Sequence, residues 1–230
     1  MKSAIDHAAI EQLLKNLPIL KGLCQEHATC ITKDFSIRTA KKGDVIFYQS
    51  DESTDLYIII EGEAKASLVD PEGNELILAT FAQGDFFGEI SLFDGRPRSA
   101  TITASENSTF AVLTREKFLQ AIKNDPMIAI GLITSLVRRI RMTDEKLESL
   151  VFLDVSQRVI KLLLEIGKGE RDEKGYYKVK KLTHRELAAH TGASREAVSK
   201  ALKVLTFRKA IREEEGYFLI APSAENLTGL

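Results

Sequence analysis

Cysteine is scarce in this 230-residue chain: there are two, Cys24 and Cys30. Two thiols cannot build the disulfide framework of a small secreted domain. Long apolar runs are missing as well. The longest are short stretches such as Leu56–Ile60, far below the ~20 apolar residues that a membrane-crossing helix needs. Residues 1–20 hold Asp6, Glu11 and Pro18 without an apolar core, so no signal peptide is expected. Neither sign of charge is in excess: 32 Lys/Arg against 33 Asp/Glu give a net charge of −1. With 44% hydrophobic residues spread evenly, disorder is not expected. These features point to a cytoplasmic globular protein of one large or two small domains.

The near-zero net charge hides an asymmetry. Residues 154–230 carry 15 Lys/Arg against 11 Asp/Glu, whereas residues 1–153 carry 17 against 22. Within 174–212 the bias sharpens to 11 basic residues against Glu186 and Glu196. A basic segment joined to an acidic one suggests that only the second half meets a polyanion.

From 35 to 115 the chain reads as short β-rich runs, among them DVIFYQ, DLYIIIEG, EAKASLVD, LILATFAQG, TITASE and TFAVLT. Turn signals separate them: KKGD, EG, DPEGN, QGD and DGRP. Many short strands with glycine at the corners predict a sandwich or double-sheet roll. Residues 5–17 have the pattern of a short amphipathic helix.

A long helix is predicted after Asp125-Pro126, with Asp as N-cap and Pro at the first helical position. Its apolar residues run Ile130, Ile133, Val137, Ile140, Leu147 and Val151 with alternating steps of three and four, interrupted by Asp144. That is the a/d seam of a coiled-coil dimer, with Arg138, Arg139, Arg141, Glu145 and Lys146 leaving the other faces polar.

Beyond Phe152 the pattern is helical. DVSQRVIKLLLEIG forms an amphipathic helix ending at Gly167, followed by the loop KGERDEKG and the strand YYKVKKL. Thr183 and Glu186 have capping-box spacing, Thr191-Gly192-Ala193 makes a tight turn, and Ser194 caps a second helix, REAVSKALKVLTF. IREEEGYFLI closes the segment as a hairpin around Gly216. Helix, glycine turn, helix and hairpin make a winged helix-turn-helix. Arg195, Glu196, Ser199 and Lys200 cluster on the first turns of its second helix, which points to DNA.

The stretch FGEISLFDGRPRSA, Phe87–Ala100, has the composition of a site for a cyclic phosphodiester. One guanidinium, Arg98, satisfies its single charge, with Ser99 donating a hydroxyl and backbone N–H groups at the start of EISLF supplying the rest. Gly88 allows close approach of the backbone, and Glu89 makes sense beside a phosphate if it accepts a ribose 2′-OH.

Three stretches together, FGEISLF…RSA (87–100), RRIRMTDEK…FLDV (138–155) and LTHRELAAHTGASREAVSKALKVL (182–205), resemble the bacterial cyclic-AMP receptor protein / fumarate–nitrate regulator family, and cyclic-AMP receptors most. The likeness runs from about residue 17 to 222. It implies an α+β fold: a jelly-roll-like β-roll that binds a cyclic nucleotide (1–124), a dimerisation helix and hinge (125–153) and a winged helix-turn-helix (154–230). By resemblance, Gly88, Glu89, Arg98 and Ser99 hold ribose and phosphate, and Thr143 bonds the adenine amino group. Asp144 stands where cyclic-AMP receptors have a serine that reaches the partner subunit's base. Phe152-Leu153-Asp154-Val155 matches the interdomain hinge. Arg195, Glu196 and Lys200 match base-reading positions, the third usually arginine, and Ser199 resembles the serine of the fumarate–nitrate regulator.

The expected ligand is cyclic AMP, with cyclic GMP as the alternative and no metal. The expected partners are double-stranded DNA with a palindromic operator, a second copy of the chain, and RNA polymerase, with no membrane. An iron–sulfur sensor needs four thiolates, and only two exist. A redox pair of Cys24 and Cys30, haem on His7 or His27, and a ligand-independent DNA-binding protein stay open as alternatives. Catalysis is not expected: the cassette lacks histidine, and no HExxH or P-loop pattern occurs.

Overall fold

The computed structural model describes residues 34–168, 171–172 and 175–228. The expected helix at 5–17, both cysteines, His7 and His27 lie outside the described residues. Contacts divide the chain into two compact units, Leu78–Arg141 with Met1–Leu68, and Met142–Leu230 with Val69–Ile77.

The first unit is built on two four-stranded antiparallel sheets. One has the order β1–β8–β3–β6, from Ser36–Ala40, Ser108–Leu113, Leu56–Glu61 and Phe86–Phe87. The other has the order β2–β7–β4–β5, from Val45–Phe47, Thr101–Ala104, Ala64–Val69 and Glu75–Phe81. The continuous apolar run of β3 has a simple cause. Tyr57 and Ile59 pack into a core with Phe47, Phe81, Phe87 and Phe110, while Leu56, Ile58 and Ile60 pack into another with Leu92, Phe118, Ile128 and Leu132. A strand with period-2 side chains must be apolar throughout when both faces are covered.

The covering residues of the second core come partly from three helices: α1 (Glu89–Asp94), α2 (Arg115–Asn124) and the start of α3 (Met127–Phe152). Helix α2 was not foreseen from sequence. Its signal is Thr114, whose hydroxyl accepts from the Lys117 N–H as an N-cap. At the start of α3, Asp125 Oδ1 accepts from the Met127 N–H at 3.0 Å, the expected cap. The seam residues Ile130, Ile133, Val137, Ile140, Leu147 and Val151 are all exposed on this chain.

In the second unit, Asp154 and Gln157 form a capping box at the start of α4 (Val155–Gly167). Strand β9 (Tyr177–Lys180) joins the hairpin β10 (Ile211–Glu214) and β11 (Tyr217–Ile220) in a sheet of order β10–β11–β9. The hairpin turns on Glu215 and Gly216, both at positive φ (48° and 83°), as a tight two-residue connection requires. Helices α5 (His184–Thr191) and α6 (Arg195–Phe207) pack on α4 through Leu187, Val198, Ala201, Leu202 and Leu205. A 3₁₀ helix, Pro222–Leu227, ends the described chain. The α+β architecture, with a β-roll, a long helix and a winged helix-turn-helix, is as expected from sequence.

Candidate functional site

The cassette is a strand, a turn and one short helix. Phe86–Phe87 pairs with β3, Gly88 turns the chain at φ 90°, and Glu89 opens α1, which has no side-chain cap at its N-terminus. Gly88 is required for two reasons. Its φ is one that residues with a Cβ rarely adopt, and a Cβ there would lie 2.6 Å from both Arg98 Nη1 and the Asp55 carbonyl oxygen.

Glu89 and Arg98 are the two fully buried charged residues among the described residues, 3% and 2% exposed. Arg98 donates from Nε to Ser53 Oγ (2.9 Å), from Nη1 to the Gly88 carbonyl (2.9 Å) and from Nη2 to the Asp55 carbonyl (2.8 Å). Its guanidinium carbon lies 4.0 Å from the centre of the Phe47 ring. Three of its five N–H bonds are thus committed to protein acceptors. Burial pulls this guanidinium below its usual range, while Tyr57, Asp55, Glu89 and Asp51 oppose the shift. Ser99, the next residue, is exposed.

Glu89 has a partner that sequence reasoning missed. Arg139 of α3 donates from Nη1 to Glu89 Oε1 at 2.6 Å and from Nη2 to the Phe86 carbonyl at 2.7 Å. Its guanidinium also lies over the rings of Phe81 and Phe86, at 4.8 and 5.2 Å. The sequence places Arg139 among the polar outer positions of the long helix, and nothing distinguishes it from Arg138 or Arg141. Thr143 and Asp144 are exposed residues of the second unit. No cluster of metal-binding side chains occurs among the described residues.

In the helix-turn-helix, Thr183 and Glu186 form the expected capping box, and Gly192 ends α5 at φ 61°. Ser194 accepts from the Ala197 N–H to start α6. Burial of Val198, Ala201, Leu202 and Leu205 on one face leaves Arg195, Glu196, Lys200 and Lys203 exposed on the other. Ser199 is half-buried: its hydroxyl lies 2.8 Å from His184 Nδ1 and 2.8 Å from the Arg195 carbonyl. In the wing, Glu213 pairs with Lys181 and Glu214 with Arg212, so the acidic run is partly neutralised by its own sheet.

Residues 37–125 match the family model of the cyclic nucleotide-binding domain, and residues 157–227 that of the Crp-like helix-turn-helix domain. The chain is 32% identical over 216 residues to the CRP-like cAMP-activated global transcriptional regulator of Mycobacterium tuberculosis, covering 93% of this chain and 96% of that one. It is 34% identical over 199 residues to the cyclic AMP receptor protein of Thermus thermophilus, covering 86% and 90%. The crystal structure of Thermus thermophilus catabolite activator protein superposes with a TM-score of 0.53 at 31% identity, covering 92% and 98%. The c-di-GMP responsive global regulator CLP of Xanthomonas campestris shares the fold, with a TM-score of 0.77 at 22% identity, covering 86% and 99%. No helix among the described residues is long and apolar enough to cross a membrane. With a cassette built around two buried charges, Glu89 and Arg98, a capped helix-turn-helix and relatives matched over nearly their whole length, this chain belongs to the CRP family of cyclic-nucleotide-binding, DNA-binding transcription regulators.

Proposed function

We propose that the protein is a cytoplasmic homodimer that binds cyclic AMP, with cyclic GMP as the alternative, and then a palindromic operator, where it engages RNA polymerase. It acts by binding and not by catalysis. The observation that carries this reading is the burial of Glu89 and Arg98 in one fourteen-residue cassette. Buried charges are costly unless they have partners, and a cyclic nucleotide uses both signs. The remaining N–H bonds of Arg98 and the exposed Ser99 hydroxyl take the phosphodiester oxygens. Glu89 accepts the ribose 2′-OH, held in place by Arg139. Gly88 lets the backbone approach.

Thr143, four residues beyond Arg139 on α3, takes the adenine amino group in this reading. Asp144 interrupts the apolar seam and meets the base from the partner subunit. A carboxylate accepts guanine N1–H and N2–H₂ as a fork, so it raises the standing of cyclic GMP relative to a serine. The exposed seam of α3 is the dimer contact. The interruption of helix at Leu153-Asp154, between Phe152 at the end of α3 and Val155 at the start of α4, serves as hinge. Nucleotide acts by binding the DNA-competent arrangement more tightly than the other. On DNA, Arg195 grips guanine O6/N7 and Glu196 accepts from cytosine N4, while Lys200 reads its base as a point charge.

The test is calorimetry of the protein against cyclic AMP, cyclic GMP and 2′-deoxy cyclic AMP, with operator binding measured with and without nucleotide. Arg98→Leu is expected to lose roughly 2–4 kcal/mol of nucleotide affinity, because a buried phosphate is left unpaired. Glu89→Ala is expected to weaken binding and to narrow the preference over the 2′-deoxy analogue. Asp144→Ser is expected to shift the cyclic AMP to cyclic GMP affinity ratio towards cyclic AMP. Wild-type affinity in Arg98→Leu would overturn the site.

A further inference from the structure

Ser199 Oγ makes two short contacts and owns one proton. It stands 2.8 Å from the Arg195 carbonyl oxygen and 2.8 Å from His184 Nδ1. Two oxygens at that distance repel unless a proton lies between them, so the hydroxyl proton belongs on the Arg195 carbonyl. The remaining contact is a hydrogen bond only if His184 Nδ1 carries the proton and donates it to Ser199. A neutral His184 is therefore the Nδ1–H tautomer, and its Nε2 is then an acceptor. Nε2 carries a proton only when the ring is an imidazolium.

This matters because of what surrounds the ring. His184 opens α5, and Ser199 sits on α6 one turn beyond Arg195 and beside Lys200, both exposed. The charged and titratable groups on the packed elements are Arg185, Glu186 and His190 on α5 itself, and Arg195, Glu196, Lys200 and Lys203 on α6. Lys180 and Lys181 precede the Thr183 cap. Glu186 is committed to Thr183, accepting from its N–H and hydroxyl, and Lys181 is paired with Glu213. On α4, Arg158 is bonded to the Thr191 carbonyl at the opposite end of α5. The surface offered to DNA here is mostly cationic, and phosphate oxygens only accept hydrogen bonds.

We propose that His184 is a proton-gated phosphate contact and that Ser199 is the residue that makes it so, by holding the neutral ring in the tautomer that cannot donate from Nε2. The inference rests on α6 facing DNA. Ser199 then acts as a positioning residue for His184, and its hydroxyl is not offered to a base. Binding DNA takes up a proton at His184 wherever the free ring is neutral, so affinity falls with rising pH, by at most about tenfold per pH unit.

The test uses the full-length protein with saturating cyclic AMP and duplex DNA that the wild-type protein enriches from a random-sequence pool at acid pH. Affinity is measured at fixed salt from acid to alkaline pH for four proteins. Wild type is expected to lose affinity with rising pH and then level off. His184→Gln, whose amide has no proton to lose, is expected to be flat. His184→Arg is expected to be flat, near the acid level. Ser199→Ala frees the ring to adopt the Nε2–H tautomer, so it is expected to regain affinity at alkaline pH and to show a smaller slope. Nitrogen NMR of the DNA-free protein at alkaline pH is expected to show His184 protonated at Nδ1 in wild type and a mixture in Ser199→Ala. A wild-type protein that binds DNA with no pH dependence, a slope that survives in His184→Gln, or an Nε2–H tautomer in wild type would overturn the proposal. Failure of every protein to bind DNA at any pH would instead overturn the reading of α6 on which it rests.

Discussion

Arg139 and Glu89, fifty residues apart, meet at 2.6 Å, and the carboxylate side chain is only 4% exposed. The acidic member of the cassette is therefore neutralised by α3, the same helix that bears the apolar seam. Losing one partner of a buried pair leaves the other charge uncompensated. Arg139→Leu is expected to cost roughly 3 kcal/mol of stability. Adding Glu89→Gln should recover part of that loss. Urea unfolding of both single variants and the double variant measures the coupling, and additive losses would show that the pair is not coupled.

Gly88→Ala combines strain with collision. The new methyl meets the Asp55 carbonyl, which is backbone, and the Arg98 Nη1 at 2.6 Å each, at a φ of 90°. The strain alone is worth ~1–3 kcal/mol. The variant is expected to melt lower and to bind cyclic AMP at least about tenfold more weakly, because the guanidinium must move. Calorimetry and a thermal melt on one preparation read both effects.

Thr183→Ala removes the side chain that accepts from the Glu186 N–H and also a donor to the Glu186 carboxylate. A loss of ~1 kcal/mol is expected. Because the two residues cap each other, Thr183→Ala/Glu186→Ala should cost less than the two single variants together. Chemical denaturation of the four proteins tests this.

The seam of α3 exposes Ile133, Val137 and Ile140, at 53%, 46% and 60%. Charges placed there cost the single chain little and the coiled-coil pair a great deal. Val137→Lys/Ile140→Lys is expected to convert the dimer to monomer in analytical ultracentrifugation with the folded circular dichroism spectrum retained.

Lys146 donates from Nζ to the Ile77 carbonyl, and burial pulls its ammonium below the usual lysine range, with Glu165 opposing. Between the lowered folded value and the ordinary unfolded value of ~10.5, the unfolded chain holds more protons, so stability contributed through this residue rises with pH. The unfolding free energy of wild type minus that of Lys146→Met is expected to increase from neutral pH towards about pH 10. A flat or falling difference would show that the ammonium is not penalised.

Local features were legible in the chain itself. The capping box of Thr183 and Glu186, the positive-φ turn at Gly192, the Ser194 cap and the Glu215-Gly216 hairpin are each settled within a few residues, because caps and turns satisfy backbone groups close by in sequence. The seam of α3 was legible for a related reason: a helical period repeated over many turns outweighs any single exception. Helix α2 was passed over because its ten residues carry one buried side chain, Phe118, and so leave a faint period.

Tertiary structure alone decided the pairings that give the cassette its chemistry. Arg98 reaches back forty-five residues to Ser53 and forty-three to Asp55, Glu89 finds Arg139 across fifty, and His184 meets Ser199 across fifteen. Such pairs leave no local signature, since any of Arg138, Arg139 or Arg141 fits the helix pattern equally well. Arg139 is the one that turns inward, because its guanidinium meets the rings of Phe81 and Phe86 and the buried Glu89 carboxylate. The sequence determined the elements and their ends, because those depend on neighbours along the chain. The fold determined which charges are buried together, because that depends on neighbours in space.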